Sequence, residues 1–366
     1  MDNIHSLRFF WPESVLTVAV LAMLVQDLIV RRSGWRVPSL VAGALFWLAL
    51  TAAATWATPS TTTPLFGGLL QHDPLRLFFA WLFLGAAFLT VIIVPKSAQI
   101  SPARLGEFIA LLFALVLGMF LMASATDLLM IYLAVETVSL VSYVLTSFRR
   151  ADRKANEAAL KYVIYGGVAS GVMLYGMSIL YGLFGTTRVT GDGGIGAQLA
   201  DVTSRLFMAQ AFGGQPAAQL ALVVAVIFVL AGVGYKIGFA VAIRFFFAAF
   251  ERPLPGGGYA PITDLPWPAI IGIISAITMT LGNLTAIVQT NLKRMLAYSS
   301  IAHAGYLLMG LAAASTAGVQ SILVYLIVYV LMNVGAFLVI IAVSRITGGE
   351  EITDFRGLGS KAPIAA

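Results

Sequence analysis

Long apolar runs recur along the whole chain, and they constrain its fold more than any other feature. A helix of about 20 apolar residues crosses the hydrocarbon core of a bilayer. Such segments are predicted at residues 12–30, 37–57, 75–94, 105–124, 126–147, 159–184, 220–250, 267–288, 296–314 and 318–344. Their connections are mostly too short for a soluble domain. The sequence therefore predicts an all-α, polytopic transmembrane helical bundle of about ten segments, forming a single integral membrane domain, and no cleavable signal is expected.

The composition agrees with a membrane protein. Hydrophobic residues make up 60% of the chain and charged residues only 10%, whereas soluble domains carry about 25% charged residues. The formal net charge of +6 is not read as a nucleic-acid signal, because the basic residues lie in short loops between apolar runs. The expected surroundings are the lipid bilayer, with no nucleic acid as a partner.

Few residues of this chain are of the types that bind metals or haem. Cysteine is absent, which excludes disulfides, thiolate zinc sites and iron–sulfur clusters. Only His5, His72 and His303 are present, and just one of them lies in an apolar segment, so a bis-histidine haem within the membrane is excluded. No cofactor is expected in this chain.

Positive charge in the loops predicts the orientation. Three arginines lie in 31–36, Lys96 and Arg104 lie in 95–104, and four basic residues lie in 149–154, whereas the intervening loops carry none. Because cytoplasmic loops are rich in lysine and arginine, the N-terminus is predicted on the non-cytoplasmic side. This alternation fails after residue 154 if 220–250 is a single crossing.

The segment 220–250 is anomalous in length and in charge. Its 31 residues exceed one crossing but cannot supply two full helices, and it contains Lys236 and Arg244. The loop 185–219 is predicted to hold a short surface helix over 197–211. The loop 251–266 is predicted to be an irregular turn.

Glu136 is the first candidate for chemistry, because it lies near the middle of 126–147. Spacings of four, three, four and three place a polar stripe on one helix face, made of Tyr132, Glu136, Ser139, Tyr143 and Thr146. A charged residue at the bilayer centre costs about 2.5–3.5 kcal/mol on insertion scales, so this carboxylate should face the bundle interior and a partner. The alternative is a glutamate that merely packs or reaches the surface.

Lys236 is the predicted partner of Glu136. Burial disfavours the charged lysine and a nearby carboxylate favours it, so a lysine here can exchange a proton near physiological pH. The alternative is a lysine that extends to the membrane surface from the end of a shortened helix.

Three further residues are candidates. Lys161 lies at the start of the segment 159–184. It is a candidate for proton transfer, and the alternative is an anchor at the membrane interface. His303 shares a stripe with Ser299 and Tyr306, and an imidazole titrates near about pH 6.5, although a lone buried histidine is more often a satisfied hydrogen-bonding group. Lys293 is read as a topological charge at the cytoplasmic edge.

Two glycine-containing stretches are read as structural. A small-residue face, predicted to allow close helix packing, consists of Gly166, Gly167, Ser170 and Gly171. The stretch "GDGGIG" at 191–196 fits a dinucleotide fingerprint, but no strand precedes it, so NAD binding is not predicted.

Three stretches carry a family resemblance: "TMTLGNLTAIVQTNLKRMLAYSSIAHAGYLLMG" (278–310), "YLAVETVSLVSYVLTSF" (132–148) and "NEAALKYVIYGGVASGVMLYGMSILYGLFG" (156–185). They closely resemble subunit N, also called subunit 2, of proton-pumping NADH:quinone oxidoreductase, respiratory complex I. The resemblance implies an antiporter-like fold of fourteen helices with two inverted five-helix repeats. Here those regions are 1–100 for the N-terminal helices, 104–250 for a shortened first repeat and 267–366 for the start of the second.

The resemblance also implies function. Glu136 and Lys236 would form the ion pair whose opening shifts a proton, with Lys161 in the same lysine series and His303 in the relay. Tyr132, Ser139, Tyr143, Ser299 and Lys293 would be supporting polar residues. NADH, flavin, iron–sulfur clusters and quinone would be handled by other subunits, and the complex would lie in the bacterial cytoplasmic membrane.

This sequence departs from the family at two places. Ile237 joins directly to Gly238 where the family has a loop and half a helix, so 220–250 is read as two half-helices joined across a deletion. The chain also stops at Ala366, before several helices of the family. Three alternatives therefore stay open: a subunit of a related cation/proton antiporter, a non-conducting scaffold, and a truncated remnant.

Overall fold

The chain is largely helical. The computed structural model describes residues 3–61, 63–96, 100–201, 215–235, 239–253, 259–261 and 267–361. Within these ranges, nine helices are long and apolar enough to cross a membrane. The predicted polytopic all-α architecture is confirmed.

These nine helices are α2 (Trp11–Ile29), α3 (Arg36–Ala57), α4 (Pro74–Ile93), α5 (Leu105–Ser124), α6 (Leu128–Thr146), α7 (Arg153–Phe184), α11 (Trp267–Ile287), α12 (Leu292–Ala312) and α13 (Thr316–Thr347). The other helices are α1 (Asn3–Leu7), α8 (Ile195–Ala200), α9 (Gln215–Tyr235), α10 (Phe239–Phe250) and α14 (Leu358–Lys361). Short 3₁₀ turns cover Phe66–Gly68, Val94–Lys96, Pro102–Arg104 and Ile352–Phe355, and a two-stranded sheet pairs β1 (Glu251–Pro253) with β2 (Tyr259–Pro261).

Local sequence explains where the helices begin and end. Side chains of Asp127 and Asp152 accept hydrogen bonds from the first free backbone N–H groups of α6 and α7. Gly185 and Gly348 end α7 and α13 with φ of 64° and 76°, a left-handed conformation that glycine adopts without strain. Because Asp152 caps α7, this helix starts six residues before the predicted apolar segment and includes charged residues in its first turns.

The chain divides into two compact units, Met1–Pro253 with Ala260–Leu265, and Leu254–Tyr259 with Pro266–Ala366. The first unit has a hydrophobic core between α2, α3, α4 and α5. The largest of its fully buried side chains include Leu16, Met23, Leu40, Phe113 and Phe120.

In the second unit, α11 and α12 pack at very close range. A Cβ on Gly282 would lie 2.9 Å from the Cα of Ala302, and a Cβ on Gly305 would lie 2.7 Å from the backbone nitrogen of Met279. Glycine is needed at these two crossings because the facing backbones leave no room for a side chain.

The segment 220–250 contributes to two helices of 21 and 12 residues, so the first is longer than the half-helix that the sequence predicts. Residues 236–238, which include Lys236 and the Ile237–Gly238 junction, lie outside the described part of the chain. The first helix, α9, packs against α7, where a Cβ on Gly176 would lie 2.8 Å from the carbonyl oxygen of Ala225. The second, α10, packs against α4, α5 and α8 with most of its side chains buried.

One loop prediction needs correction, and another is only partly described. Of the surface helix predicted at 197–211, residues 197–200 belong to α8 (Ile195–Ala200), and residues 202–214 lie outside the described part of the chain. The predicted irregular turn 251–266 contains β1 and β2, because backbone hydrogen bonds pair residues 251–253 with residues 259–261 as strands.

Candidate functional site

Glu136 is the ninth of the 19 residues of α6, so its carboxylate lies near mid-span as predicted. The side chain is half-buried at the seam between α6 and α7. Its Oε1 accepts a hydrogen bond from the Ser170 hydroxyl of α7. The sequence placed Ser170 only in a packing face, whereas the structure makes it a polar partner of the central carboxylate.

The Ser170 hydroxyl also lies close to a second acceptor. Besides the Glu136 carboxylate, the carbonyl oxygen of Gly166 lies 2.8 Å from the Ser170 Oγ. A hydroxyl has one proton to donate, and its oxygen can accept as well. Ser170 can therefore donate to the carboxylate, or turn to Gly166 and accept from a protonated Glu136.

Tyr143 lies two turns along the same stripe, where it is buried against α7. Its ring packs edge-on against Tyr162 with centroids 4.7 Å apart. A Cβ on Gly166 would lie 2.7 Å from the Tyr143 Cζ and closer still to its hydroxyl oxygen. Gly166 is therefore what allows Tyr143 to occupy this seam.

The predicted small-residue face is only half correct. Gly166 and Ser170 are buried at the α6 seam, whereas Gly167 and Gly171 are exposed and have nothing within 4 Å of an added Cβ. The reason is angular, because residues next to one another in a helix point about 100° apart and cannot share one narrow contact face.

The other stripe residues have local roles. The Ser139 hydroxyl donates to the Val135 carbonyl at 2.7 Å, and the Thr146 hydroxyl donates to Ser142 at 2.8 Å, both within α6. Tyr132 is half-buried one turn before Glu136.

Described contacts bring neither Lys236, the predicted partner of Glu136, nor Lys161 of the lysine series to this carboxylate. Lys161 is 63% exposed and pairs with Glu157 at 2.6 Å on its own helix. It lies nine residues before Ser170, about 13 Å along the helix axis. Lys236 lies outside the described residues, so the Glu136–Lys236 pair stays a prediction.

His303 in the second unit is surrounded by tyrosines. Its Nδ1 forms a hydrogen bond with the Tyr325 hydroxyl of α13, and the rings of Tyr306 and Tyr329 pack around the imidazole. The Asn283 amide of α11 donates to the Tyr306 hydroxyl at 2.7 Å. This polar cluster joins three helices, and the sequence stripe had named only His303, Ser299 and Tyr306 of it.

Ser299 and Lys293 lie nearer the start of α12. Ser299 is half-buried one turn before His303. Lys293 forms an ion pair with Glu350, and the backbones beside them pair through Asn291 and Glu351. Lys293 therefore ties the start of α12 to the segment that follows α13.

A buried charge cluster was missed by the sequence analysis. Arg76 at the start of α4 donates to Glu13 of α2 at 2.6 Å, and both side chains are at most 2% exposed. His72 lies 3.5 Å from the same carboxylate oxygen, and the Arg76 guanidinium stacks over Phe120 at 5.2 Å. Glu13 directly follows Pro12 and Arg76 lies two residues after Pro74, each near the start of a predicted span, and no local pattern in the sequence pairs them.

Arg244 also has a structural role that the sequence left unexplained. From α10 it donates to both carboxylate oxygens of Asp73, at 2.9 and 2.7 Å. It also donates to the Ala123 carbonyl at 2.7 Å. A charge inside an apolar run needs such a partner, and Asp73 lies two residues before the predicted 75–94 segment.

Metal ligands do not cluster in the part of the chain that is described. There, no group of three or more histidine or acidic side chains is placed to hold a metal ion.

Comparison with known proteins decides the family. A family model described as "NADH:quinone oxidoreductase/Mrp antiporter, TM" matches residues 125–366. A subunit N of NADH-quinone oxidoreductase from Anaeromyxobacter sp. (strain Fw109-5) is 51% identical over 398 residues, which covers 100% of this chain and 75% of that protein. This chain belongs to the NADH-quinone oxidoreductase subunit N family. A second member, subunit N 2 from Sorangium cellulosum (strain So ce56), is 39% identical and covers 100% of this chain and 77% of its own length.

The alignment with the Anaeromyxobacter subunit N also bears on the predicted deletion. It is 398 positions long and this chain has 366 residues, so at least 32 positions of that subunit N have no counterpart here. This finding agrees with an internal shortening.

Chains in solved membrane complexes share the fold of this chain. Respiratory complex I from Thermus thermophilus with bound aureothin contains a chain that matches with a TM-score of 0.62 and 27% identity, over 97% of this chain and 75% of that one. A chain of the archaeal membrane-bound sulfane sulfur reductase matches with a TM-score of 0.71 at 19% identity, which shows the fold alone.

Proposed function

We propose that this chain is a non-redox, proton-translocating subunit of NADH-quinone oxidoreductase. The observation that carries this proposal is a carboxylate at the middle of α6 that is hydrogen-bonded across the helix seam by Ser170. Placing a charged group at this depth in a bilayer costs free energy, and such groups mark proton relays in transport proteins.

The chemistry at this seam is a proton transfer at the Glu136 carboxylate. When Glu136 is ionised, the Ser170 hydroxyl donates to it. When Glu136 takes up a proton, the hydroxyl turns to the Gly166 carbonyl and its oxygen accepts from the new carboxylic acid. The seam can thus hold both protonation states without leaving a buried donor or acceptor unpaired.

Lys236 is the proposed partner that gives and receives this proton. Sequence spacing and the family resemblance support its role, as they support a place for Lys161 in the lysine series. His303 with Tyr325 is a second proposed proton-transfer group, in the second unit. A neutral imidazole has one nitrogen that donates and one that accepts, so a hydrogen-bonded histidine can pass a proton through its ring.

The proposal assigns electron transfer to other subunits. NADH, flavin, iron–sulfur clusters and quinone are placed there, and the coupled change reaches this chain through helix contacts. Supporting this, the relatives carry the name of a subunit of the oxidoreductase and the Thermus structure is a whole complex. The proposed location is the bacterial cytoplasmic membrane, with the N-terminus on the non-cytoplasmic side because basic residues fill the alternate loops.

The test is NADH-driven transport in inverted membrane vesicles that contain the complex. The proposal predicts acidification of the vesicle interior that is unaffected by removal of sodium ions and is abolished by a protonophore. Transport that needs sodium ions would instead favour the related cation/proton antiporter. Acidification that persists in full after Glu136→Ala would favour a scaffold that conducts nothing.

A further inference from the structure

A cavity opens at the end of the first unit where α5 begins and α6 ends. Its volume is about 390 Å³, and its walls include Arg104, Glu107 and Arg150 together with the apolar Leu111 and Val144. Arg104 Nη1 donates to the Phe148 carbonyl at 3.2 Å, which holds the start of α5 against the end of α6. Binding pockets for small molecules have volumes of about 300–1,000 Å³.

The cavity contains basic and acidic side chains that form no ion pair in the described part of the chain. Arg150 and Glu107 are exposed, and within the described part of the chain neither side chain has an ion-pair partner. Their basic neighbours differ: Arg149 pairs with Asp152, and Arg36 pairs with Asp27. The cavity therefore offers a guanidinium and a carboxylate to a ligand that carries both charges.

An apolar stripe continues from the cavity toward mid-membrane. On α6, the side chains of Val144, Leu140 and Leu133 are 50%, 59% and 58% exposed, with spacings of four and seven residues that keep them on one helix face. Val144 belongs both to this stripe and to the cavity wall. A ligand seated in the cavity would thus have its polar part on the arginines and its apolar part along α6.

We propose that this cavity binds the head group of an ethanolamine phospholipid. The phosphodiester accepts charge-assisted hydrogen bonds from Arg104 and Arg150, because a guanidinium presents paired donors that match phosphate oxygens. The ammonium of the head group donates to Glu107, and the acyl chains lie along Val144, Leu140 and Leu133. A phospholipid without an amine would place its negative phosphate near Glu107 and leave that carboxylate without a cationic partner.

A second cavity shares two of its lining residues with the first. It has a volume of about 670 Å³ and is bounded by Arg104, Arg149 and Arg150. Two cavities that share Arg104 and Arg150 at the end of a membrane helix agree with a lipid that enters from the bilayer rather than with a closed binding site.

The experiment measures phospholipid that stays bound to the purified whole complex after a fixed detergent wash. Arg150→Gln and Glu107→Gln are compared with Arg153→Gln and Glu157→Gln, which change the same residue types outside the cavity. We expect each cavity variant to lower retained phosphatidylethanolamine about tenfold, since one lost charge-assisted hydrogen bond changes an equilibrium by about that factor. Both control variants should retain the wild-type amount.

The Glu107→Gln variant also identifies the head group. Retained phosphatidylglycerol should stay equal or rise in this variant while phosphatidylethanolamine falls. If both lipids respond alike, the ethanolamine assignment is overturned, and if no cavity variant differs from its control, the site is overturned. Should the variants fail to assemble, a photoreactive phosphatidylethanolamine applied to the wild-type complex must label the end of α6 near Val144, and labelling elsewhere would contradict the proposal.

Discussion

The Ser170 hydroxyl of α7 donates to the Glu136 carboxylate of α6 near the middle of both the α6 span and the α6–α7 seam. Ser170 is buried, and the carbonyl of Gly166 in its own helix also lies within hydrogen-bonding distance of its hydroxyl. The pairing gives the central carboxylate a partner whose donor can turn toward or away from it.

Ser170→Ala should slow proton translocation several-fold without changing assembly of the complex. The variant removes the cross-helix donor to Glu136 while it keeps the small side chain that close packing needs. Ser139→Ala is the matched control, because within the described residues the Ser139 hydroxyl donates to a backbone carbonyl of its own helix. Proton uptake by inverted vesicles measures both, and equal rates for the two variants would contradict a role for the Ser170 hydroxyl.

Gly166→Ala should destabilise the complex by about 1–3 kcal/mol, the usual cost of an overpacked core. The added methyl group would meet the Tyr143 ring, which is itself held against Tyr162. Gly167→Ala should have no such cost, because its methyl group would have nothing within 4 Å. Thermal unfolding of the purified complex distinguishes these two neighbours, and a larger loss for Gly167→Ala would show that the seam is wrongly oriented.

Glu13→Gln should cost about 3–5 kcal/mol of stability, because it leaves the Arg76 guanidinium buried without its carboxylate. The double variant Glu13→Gln with Arg76→Met should recover much of this loss, since it removes both buried charges. Glu157→Gln serves as the control: its ion pair with Lys161 is exposed, and no measurable change is expected. The measurement is again thermal unfolding, and a double variant as unstable as the single one would contradict a paired role.

The buried Glu251, which lies outside the membrane-spanning helices, should make the stability of the fold depend on pH. Burial in β1, where the side chain is 4% exposed, raises the pKa of this carboxyl group above its ordinary value of 4.5. The folded chain therefore holds this proton more tightly than the unfolded chain, and its contribution to stability is lost as the pH rises above about 4.5.

The corresponding test is the difference between wild-type and Glu251→Gln unfolding temperatures across pH. We expect the variant to gain relative to the wild type as the pH rises, because it has no buried carboxyl group to ionise. The same difference measured for Asp192→Asn, at an exposed position, supplies the baseline. A difference for Glu251→Gln that does not change with pH would contradict the assigned burial effect.

Much of the fold could be predicted from sequence because the bilayer imposes a length on every apolar run. The bounds of α2 to α6 and α11 lie within two residues of the prediction. The start of α7 could not be found this way, because Asp152 caps a turn that is too polar to be counted as apolar. Hydropathy alone marks the part of a helix that faces lipid, whereas caps mark where the helix begins.

The site was predictable in position but not in its contacts. The helical spacing of the polar residues and the mid-segment position identified Glu136. Its partner Ser170 and the Gly166–Tyr143 contact depend on which face of α7 meets α6. The pairs Glu13–Arg76 and Asp73–Arg244 join residues 63 and 171 positions apart. No local pattern encodes such pairings, although Arg244 in an apolar run signals that a carboxylate must lie nearby.

The most direct test of the central claim is the ratio of protons translocated to NADH oxidised in vesicles that carry Glu136→Gln. Glutamine keeps the size and the hydrogen-bonding ability of the side chain but cannot exchange a proton. We predict that the ratio falls well below that of the wild type, while Glu157→Gln keeps the wild-type ratio and both variants still transfer electrons from NADH to an artificial acceptor. An unchanged ratio in a fully assembled Glu136→Gln complex would contradict the account, because protons would then be crossing without this carboxylate.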